Sequence, residues 1–161
     1  MMNTSILSGA AAAAVLLALG LGNTAHAAST EAKNAPSPPK QLDRSGRKQV
    51  GKASFYARKF AGRKMADGTP MQPQGNNAAS KTLPLGTTAK VTNKETGRSA
   101  TVTIRDRGPY VRGRIIDLSP ATAQEIGITP KEGVAPVEVA PIQVPLADGG
   151  SKAGAGANTG K

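Results

Sequence analysis

Polar and apolar residues alternate strictly from Ser99 to Asp106: Ala100, Val102 and Ile104 fall on one side of the chain, Thr101, Thr103 and Arg105 on the other. A period of two is that of a strand with one buried face. Asp106 is in phase with the apolar set, so the pattern carries a carboxylate towards the core side at the strand's end. Its neighbours Arg105 and Arg107 are predicted to project from the opposite face. Gly108-Pro109 then supplies turn chemistry that breaks the strand. A second apolar run, Arg114–Leu118, holds another carboxylate, Asp117, between Ile116 and Leu118. Residues 52–57, 88–92 and 134–139 read as further strands, with a hairpin turn over 93–97. Ser119 is a good N-cap, Pro120 suits the first helical position and Gly127 the C-terminal end, which predicts one short helix between them. Many short strands punctuated by Gly and Pro, with one brief helix, predict a mainly β domain closed into a small barrel.

The flanks lack this patterning. The apolar stretch 6–21, rich in Ala and Leu, is followed by Ala25-His26-Ala27, an A-x-A site, so residues 1–27 are expected to be a signal peptide cleaved after Ala27. Gly9, Gly20 and Gly22 dilute the stretch, which is short of the roughly 20 apolar residues that a membrane span needs. No Lys or Arg precedes it. Residues 28–50 are expected to be a disordered basic linker and 146–161 a disordered Gly/Ala-rich tail, each too poor in apolar residues to bury anything. One domain, 51–145, lies between them, near the common size for a single core.

Charge adds a direction. The chain carries 21 Lys and Arg against 10 Asp and Glu, and residues 51–145 alone carry 14 against 7. Such a surface concentrates polyanions by an attraction that salt weakens. For an exported protein the first polyanions met are cell-wall polymers and anionic lipid headgroups, so nucleic acid is not the expected partner. Composition also excludes whole classes of chemistry. With no cysteine there is no disulfide, no thiol nucleophile and no acceptor for a lipid anchor. The sole histidine, His26, lies within the expected signal peptide. The mature chain therefore has no imidazole for a Ser-His-Asp or Cys-His site or for a histidine-ligated metal. No metal and no cofactor is expected.

The run Ile104-Arg105-Asp106-Arg107-Gly108-Pro109-Tyr110 and then Arg114-Ile115-Ile116-Asp117-Leu118-Ser119 resembles the signature of the rare lipoprotein A family. Gly51-Lys52-Ala53-Ser54-Phe55-Tyr56, Gly62-Arg63, Ala66-Asp67-Gly68 and Thr82-Leu83-Pro84-Leu85-Gly86-Thr87 match in order and spacing. These are bacterial envelope proteins related to expansins. The resemblance implies a six-stranded double-psi β-barrel with one or two short helices, acting as a lytic transglycosylase of the septal-ring type on peptidoglycan glycan strands. Divisome partners stay undetermined by the sequence.

By that resemblance Asp106 is the catalytic carboxyl and Asp117, which matches the expansin-like acid position, ranks second. Such an acid must hold its proton near neutral pH, which partial burial or a second carboxylate favours. From the residues alone, turn capping by Asp106 around Gly108 and an ion pair of Asp117 with an arginine stay open. Ser80 stands where active members carry a histidine, and Thr69 where they often carry a glutamate. Serine can hydrogen-bond a sugar or the aspartate but cannot titrate near neutral pH. Ser80 is counted with the two aspartates as a catalytic-site residue, and Tyr56 and Tyr110, beside the motifs, with Arg63, Thr69, Arg105 and Arg107 are the expected substrate-binding residues, flat rings stacking on apolar sugar faces. Two other classes of function remain. One is a non-catalytic, expansin-like glycan-binding or wall-loosening module, and the other a basic secreted protein that binds nucleic acid or anionic lipid with steep salt dependence.

Overall fold

The computed structural model describes residues 41–157; the expected signal peptide and the first part of the linker lie outside them. Seven strands form one sheet: β1 (Gln49–Phe55), β2 (Asn77–Ser80), β3 (Thr88–Asn93), β4 (Ser99–Asp106), β5 (Arg114–Leu118), β6 (Ala135–Pro145) and β7 (Ser151–Ala153). Their order is β1-β5-β2-β4-β3-β6-β7, and β6 also pairs with β1. That last pairing closes six strands into a barrel, with β7 added outside on β6. The pairs β1–β5 and β2–β4 are parallel and all others antiparallel. The expected six-stranded double-psi barrel is the observed one, with the helix α1 (Pro120–Glu125) and a single 3-10 turn at Arg58–Phe60.

The alternation of β4 is the alternation of its burial: Ala100, Val102 and Ile104 are buried and Asp106 is half-buried in the same phase. With Ala53, Ala78, Val91, Ile116, Leu118, Val137 and Val139 they fill the barrel. The helix begins where its caps predict, since the Ser119 hydroxyl accepts from the Thr122 amide. It ends before Gly127, whose φ of 84° is one that glycine adopts without strain. Asn93 Nδ2 and Thr96 Oγ1 then both donate to the Ile126 carbonyl and pin the helix end to the β3–β4 hairpin.

Four features depart from the sequence reading. Strand β2 was not predicted: Asn-Ala-Ala-Ser is short, lacks β-branched residues and is buried at all four positions, so it shows no alternation. Strand β6 runs well past residue 139, with a bulge opposite Thr88/Ala89 where Ile142 is skipped between the paired Pro141 and Gln143. Residues 146–157 are ordered rather than part of a disordered tail. Gly154 and Gly156 donate to the carbonyls of Ile142 and Pro141, and Ala155 donates to that of Gly46. A Cβ at either glycine would collide with the carbonyl oxygen of Pro141 or Ala140. The Gly-Ala-Gly-Ala composition therefore serves close backbone packing against β6. The end of the linker is ordered too, with the Asp43 amide donating to the Thr82 carbonyl and Gln49 and Val50 inside β1.

Candidate active site

Strand register brings distant residues into one row. Ala79 of β2 is paired with Asp106 of β4 on one side and with Asp117 of β5 on the other. Asp117 is in turn level with Ser54 of β1. Ser54, Asp117, Ala79 and Asp106 thus lie side by side across four adjacent strands. The two carboxylates are separated by two strand spacings, roughly 10 Å between their Cα atoms. The small Ala79 between them leaves the floor of a cleft open. That cleft has a volume of about 460 Å³ and is lined by Phe55, Tyr56, Phe60, Ala79, Asp106 and Asp117, with Arg114 and the 107–111 turn completing its wall.

The two aspartates have different partners. Asp117 is committed to an ion pair: Arg114 Nη2 donates to both of its oxygens at 2.8 and 2.9 Å, and the Ser54 hydroxyl donates to Oδ1 at 2.5 Å. Asp106 accepts at Oδ1 from the amides of Ala66 (3.0 Å) and Arg107 (2.8 Å), and at Oδ2 from the Tyr56 hydroxyl (3.0 Å). It caps the Arg107 amide beside Gly108, as turn capping predicts, and also the Ala66 amide from a distant loop, and among the described residues no guanidinium bonds it. Burial, and then the adjacent Asp106 charge, push the Tyr56 hydroxyl far above its ordinary value of 10.0. Tyr56 is thereby a neutral donor across the physiological range. Its ring meets Phe60 edge-on at 6.1 Å, which fixes the donor from behind.

Of the other expected site residues, Tyr110 is 81% exposed at the cleft rim. Arg105 leaves the cleft and pairs with Asp67 at 3.1 Å. Thr69 sits with it, donating its amide and hydroxyl to the same Asp67, and both line a separate depression of about 320 Å³. Burial raises Asp67, but the Thr69 and Arg105 hydrogen bonds outweigh it and hold this carboxyl below its ordinary range. Arg63 is exposed over the Phe60 ring, 5.7 Å from its centroid.

Arg107 does not project from the far face as predicted. It follows the last residue of β4, where the strand period lapses, and its Nη1 donates to the carbonyls of Ser80 (3.1 Å) and Leu83 (2.6 Å). It holds the turn after β2 while its backbone borders the Asp106 carboxylate.

Ser80 is not brought to the cleft lining. It is fully buried, and its hydroxyl accepts from the amides of Thr82 and Leu83. Ser80→Ala should therefore cost about 1–2 kcal/mol, the penalty of leaving turn amides unpaired, and thermal unfolding of the variant beside the parent protein checks this.

Sequence reasoning missed Ser54, Ala79 and the Ala66 amide. Each acts through pairing between segments far apart in the chain, which no local pattern reports.

A family model described as lytic transglycolase matches residues 48–139. Over 91 residues the chain is 50% identical to a probable endolytic peptidoglycan transglycosylase RlpA of Nostoc sp., covering 55% of this chain and 24% of that protein. Over 100 residues it is 50% identical to the endolytic peptidoglycan transglycosylase RlpA of Pasteurella multocida, covering 62% of this chain and 34% of that protein. The chain thus spans about a quarter to a third of the length of these relatives. Among solved structures, an apo expansin of Clavibacter michiganensis aligns with a TM-score of 0.47 and 20% identity, over 62% of this chain and 52% of that one.

Proposed function

The chain belongs to the lytic transglycolase family, and from that premise we propose that it cleaves the glycan strands of peptidoglycan between N-acetylmuramic acid and N-acetylglucosamine. The proposed site is the open row across β4, β2 and β5. The observation that carries it is the position of Asp106 in the cleft wall, level with Asp117 across Ala79 and bonded by no guanidinium among the described residues. A carboxyl so placed can give a proton to a bridging oxygen and take one back.

The step balances without water. Asp106 gives its proton to the glycosidic oxygen as the C1–O bond breaks, and the oxygen leaves as the 4-hydroxyl of the released N-acetylglucosamine. The muramic C6 hydroxyl attacks C1 and surrenders its proton to Asp106. A 1,6-anhydro end forms and the acid is regenerated. One carboxyl serves both transfers, so the paired carboxylates of a hydrolase are not obligatory.

Tyr56 positions Asp106 through Oδ2. Arg114, Asp117 and Ser54 brace the opposite wall as a hydrogen-bonded unit. The exposed ring of Tyr110 offers an apolar face to a sugar at the rim. The apolar stretch at 6–21 and the A-x-A site support action outside the inner membrane, in a periplasm or secreted.

A glycan-binding module without turnover is the second reading, favoured by the removal of Ser80 from the cleft and the commitment of Asp117 to Arg114. Digestion of purified glycan strands separates the two. Mass spectrometry is expected to find anhydro-muramic ends accumulating with time, whereas strands that are bound and returned intact would sink the enzyme.

A further inference from the structure

Arg114 lines two hollows: the cleft that holds Asp106 and Asp117, and a second one of about 320 Å³ walled by Asp43, Gln49, Lys81, Thr82 and Ile115. The antiparallel register of β2 with β5 pairs Ala79 with Asp117 and Ser80 with Ile116, and so leads on to Lys81 and Ile115. The linings differ. On the cleft side stand the rings of Phe55, Tyr56 and Phe60 and the exposed Tyr110 and Val111, whereas past Arg114 the walls are largely polar. Asp43 is set there by a relay of hydrogen bonds. The Thr82 hydroxyl donates to Gln49 Oε1 at 3.3 Å, and Gln49 Nε2 donates to Asp43 Oδ2 at 2.9 Å. The Ser45 amide donates to Asp43 Oδ1 at 2.8 Å, and the Asp43 amide donates to the Thr82 carbonyl. Hydrogen bonding from Ser45, and then from Gln49, outweighs burial and holds the Asp43 carboxyl below its ordinary range. It is thus a carboxylate, with acceptor sites left after the Ser45 and Gln49 bonds. Lys81 is half-buried, and its Nζ enters no ion pair among the described residues.

We infer that the second hollow is a distal subsite of the glycan cleft, where Asp43 and Lys81 take the hydroxyl and acetamido groups of an uncharged sugar residue, N-acetylglucosamine, further along the same strand. The assignment rests on the function proposed above and extends its site past Arg114. Charge decides the class of ligand. Arg114 is neutralised by Asp117, which leaves one cation, Lys81, and one anion, Asp43, on the walls. An acidic group brought to Lys81 meets Asp43, and a basic group brought to Asp43 meets Lys81 and Arg114. A neutral residue that carries both hydroxyls and a carbonyl satisfies both walls, since Lys81 Nζ donates to a carbonyl oxygen and Asp43 accepts from a hydroxyl. Hydrogen bonds with one ionised partner are stronger than neutral ones. The relay through Thr82 and Gln49 fixes the acceptor before a ligand arrives, so less ordering cost is met on binding. A lipid chain would find apolar groups at Tyr110 and Val111, but past Arg114 it would meet only Ile115 among polar walls.

The test measures equilibrium binding of the full chain, in an Asp106→Asn background chosen to prevent cutting, to purified glycan strands freed of peptide and fractionated by length. Affinity should rise with length until a strand reaches the second hollow. Adding Lys81→Met should remove that rise and weaken binding of long strands about tenfold, the worth of one hydrogen bond to a charged group. Short fragments should bind as before. Asp43→Asn should act in the same direction, and Lys81→Arg, which keeps a cationic donor, should retain most of the rise. Lys81→Met leaves the Thr82-Gln49-Asp43 relay in place, so its effect is separate from the packing of the chain before β1. The loss should be the same at low and high salt, because a bond to a neutral group is not screened as an exposed ion pair is. Equal binding of long strands with and without Lys81→Met overturns the subsite, and the release of anhydro ends by the unsubstituted protein would then leave the proposed function standing. An equal loss on short fragments overturns it too, as does a loss that fades with salt, which would mark an acidic ligand. If the Asp106→Asn protein binds no strand and the unsubstituted protein cleaves none, the proposed function falls together with the subsite.

Discussion

Asp106→Asn is expected to yield no detectable anhydro-muramic ends and to unfold at the temperature of the parent protein. Loss of a positioned general acid costs about 10²–10⁴ in rate, which sets the size of the effect. Its selectivity comes from how the carboxylate is held. Oδ1 accepts the amides of Ala66 and Arg107, and an asparagine oxygen takes over both bonds. Oδ2 faces the Tyr56 hydroxyl, and an asparagine NH₂ placed there can donate to it once the phenol rotates to accept. Only the transferable proton is removed. Asp106→Ala is a poorer test, because it also frees the Ala66 amide and loosens the loop that borders the cleft. Cleavage that persisted in Asp106→Asn would move the chemistry to Asp117, the other carboxylate of the cleft lining.

Much of this site is legible in the sequence because its strands announce themselves locally. The alternation of β4 places Asp106 at the end of a buried face, and the apolar residues flanking Asp117 place it in a strand. Ser119, Pro120 and Gly127 mark both ends of the helix for reasons confined to a few neighbouring residues. What is hidden depends on register. Asp106 and Asp117 are brought level by Ala79, in a four-residue strand that is buried on every side and so has no period to detect.

Side-chain roles at strand ends are hidden for a related reason. Arg107 lies just beyond the last residue of β4, where the two-residue period stops applying, and its guanidinium reaches the turn after β2. Ser80 ends β2 itself, and its hydroxyl is drawn into that same turn. The Gly-Ala steps near the C-terminus misled for a different reason. Low side-chain volume usually means an absent core, but Gly154 and Gly156 are small because carbonyl oxygens of β6 pass where a Cβ would be. Backbone-to-backbone packing leaves no hydrophobic signature.

The row across the strands also assigns Asp117 to a structural duty that a stability measurement can isolate. Arg114 Nη2 spends its hydrogen bonds on the two Asp117 oxygens, and Arg114 Nε is buried without a partner. The pair is largely shielded, with side-chain exposures of 25% and 15%. Removing one member leaves the other charge desolvated and unpaired, which costs 3–5 kcal/mol in fully buried cases and less where water reaches the pair. Asp117→Ala should therefore destabilise the barrel by about 2–3 kcal/mol, a fall of roughly 10–20 °C in unfolding temperature for a domain of this size. Arg114→Ala should cost a similar amount, since Asp117 would keep only the Ser54 hydroxyl. The double variant should lose clearly less than the sum of the two, because each substitution removes the charge that the other leaves stranded. Additive losses would mean that the pair contributes packing alone. An Asp117→Ala protein that unfolds like the parent yet releases no anhydro ends would reverse the roles, making Asp117 the acid and Asp106 the brace.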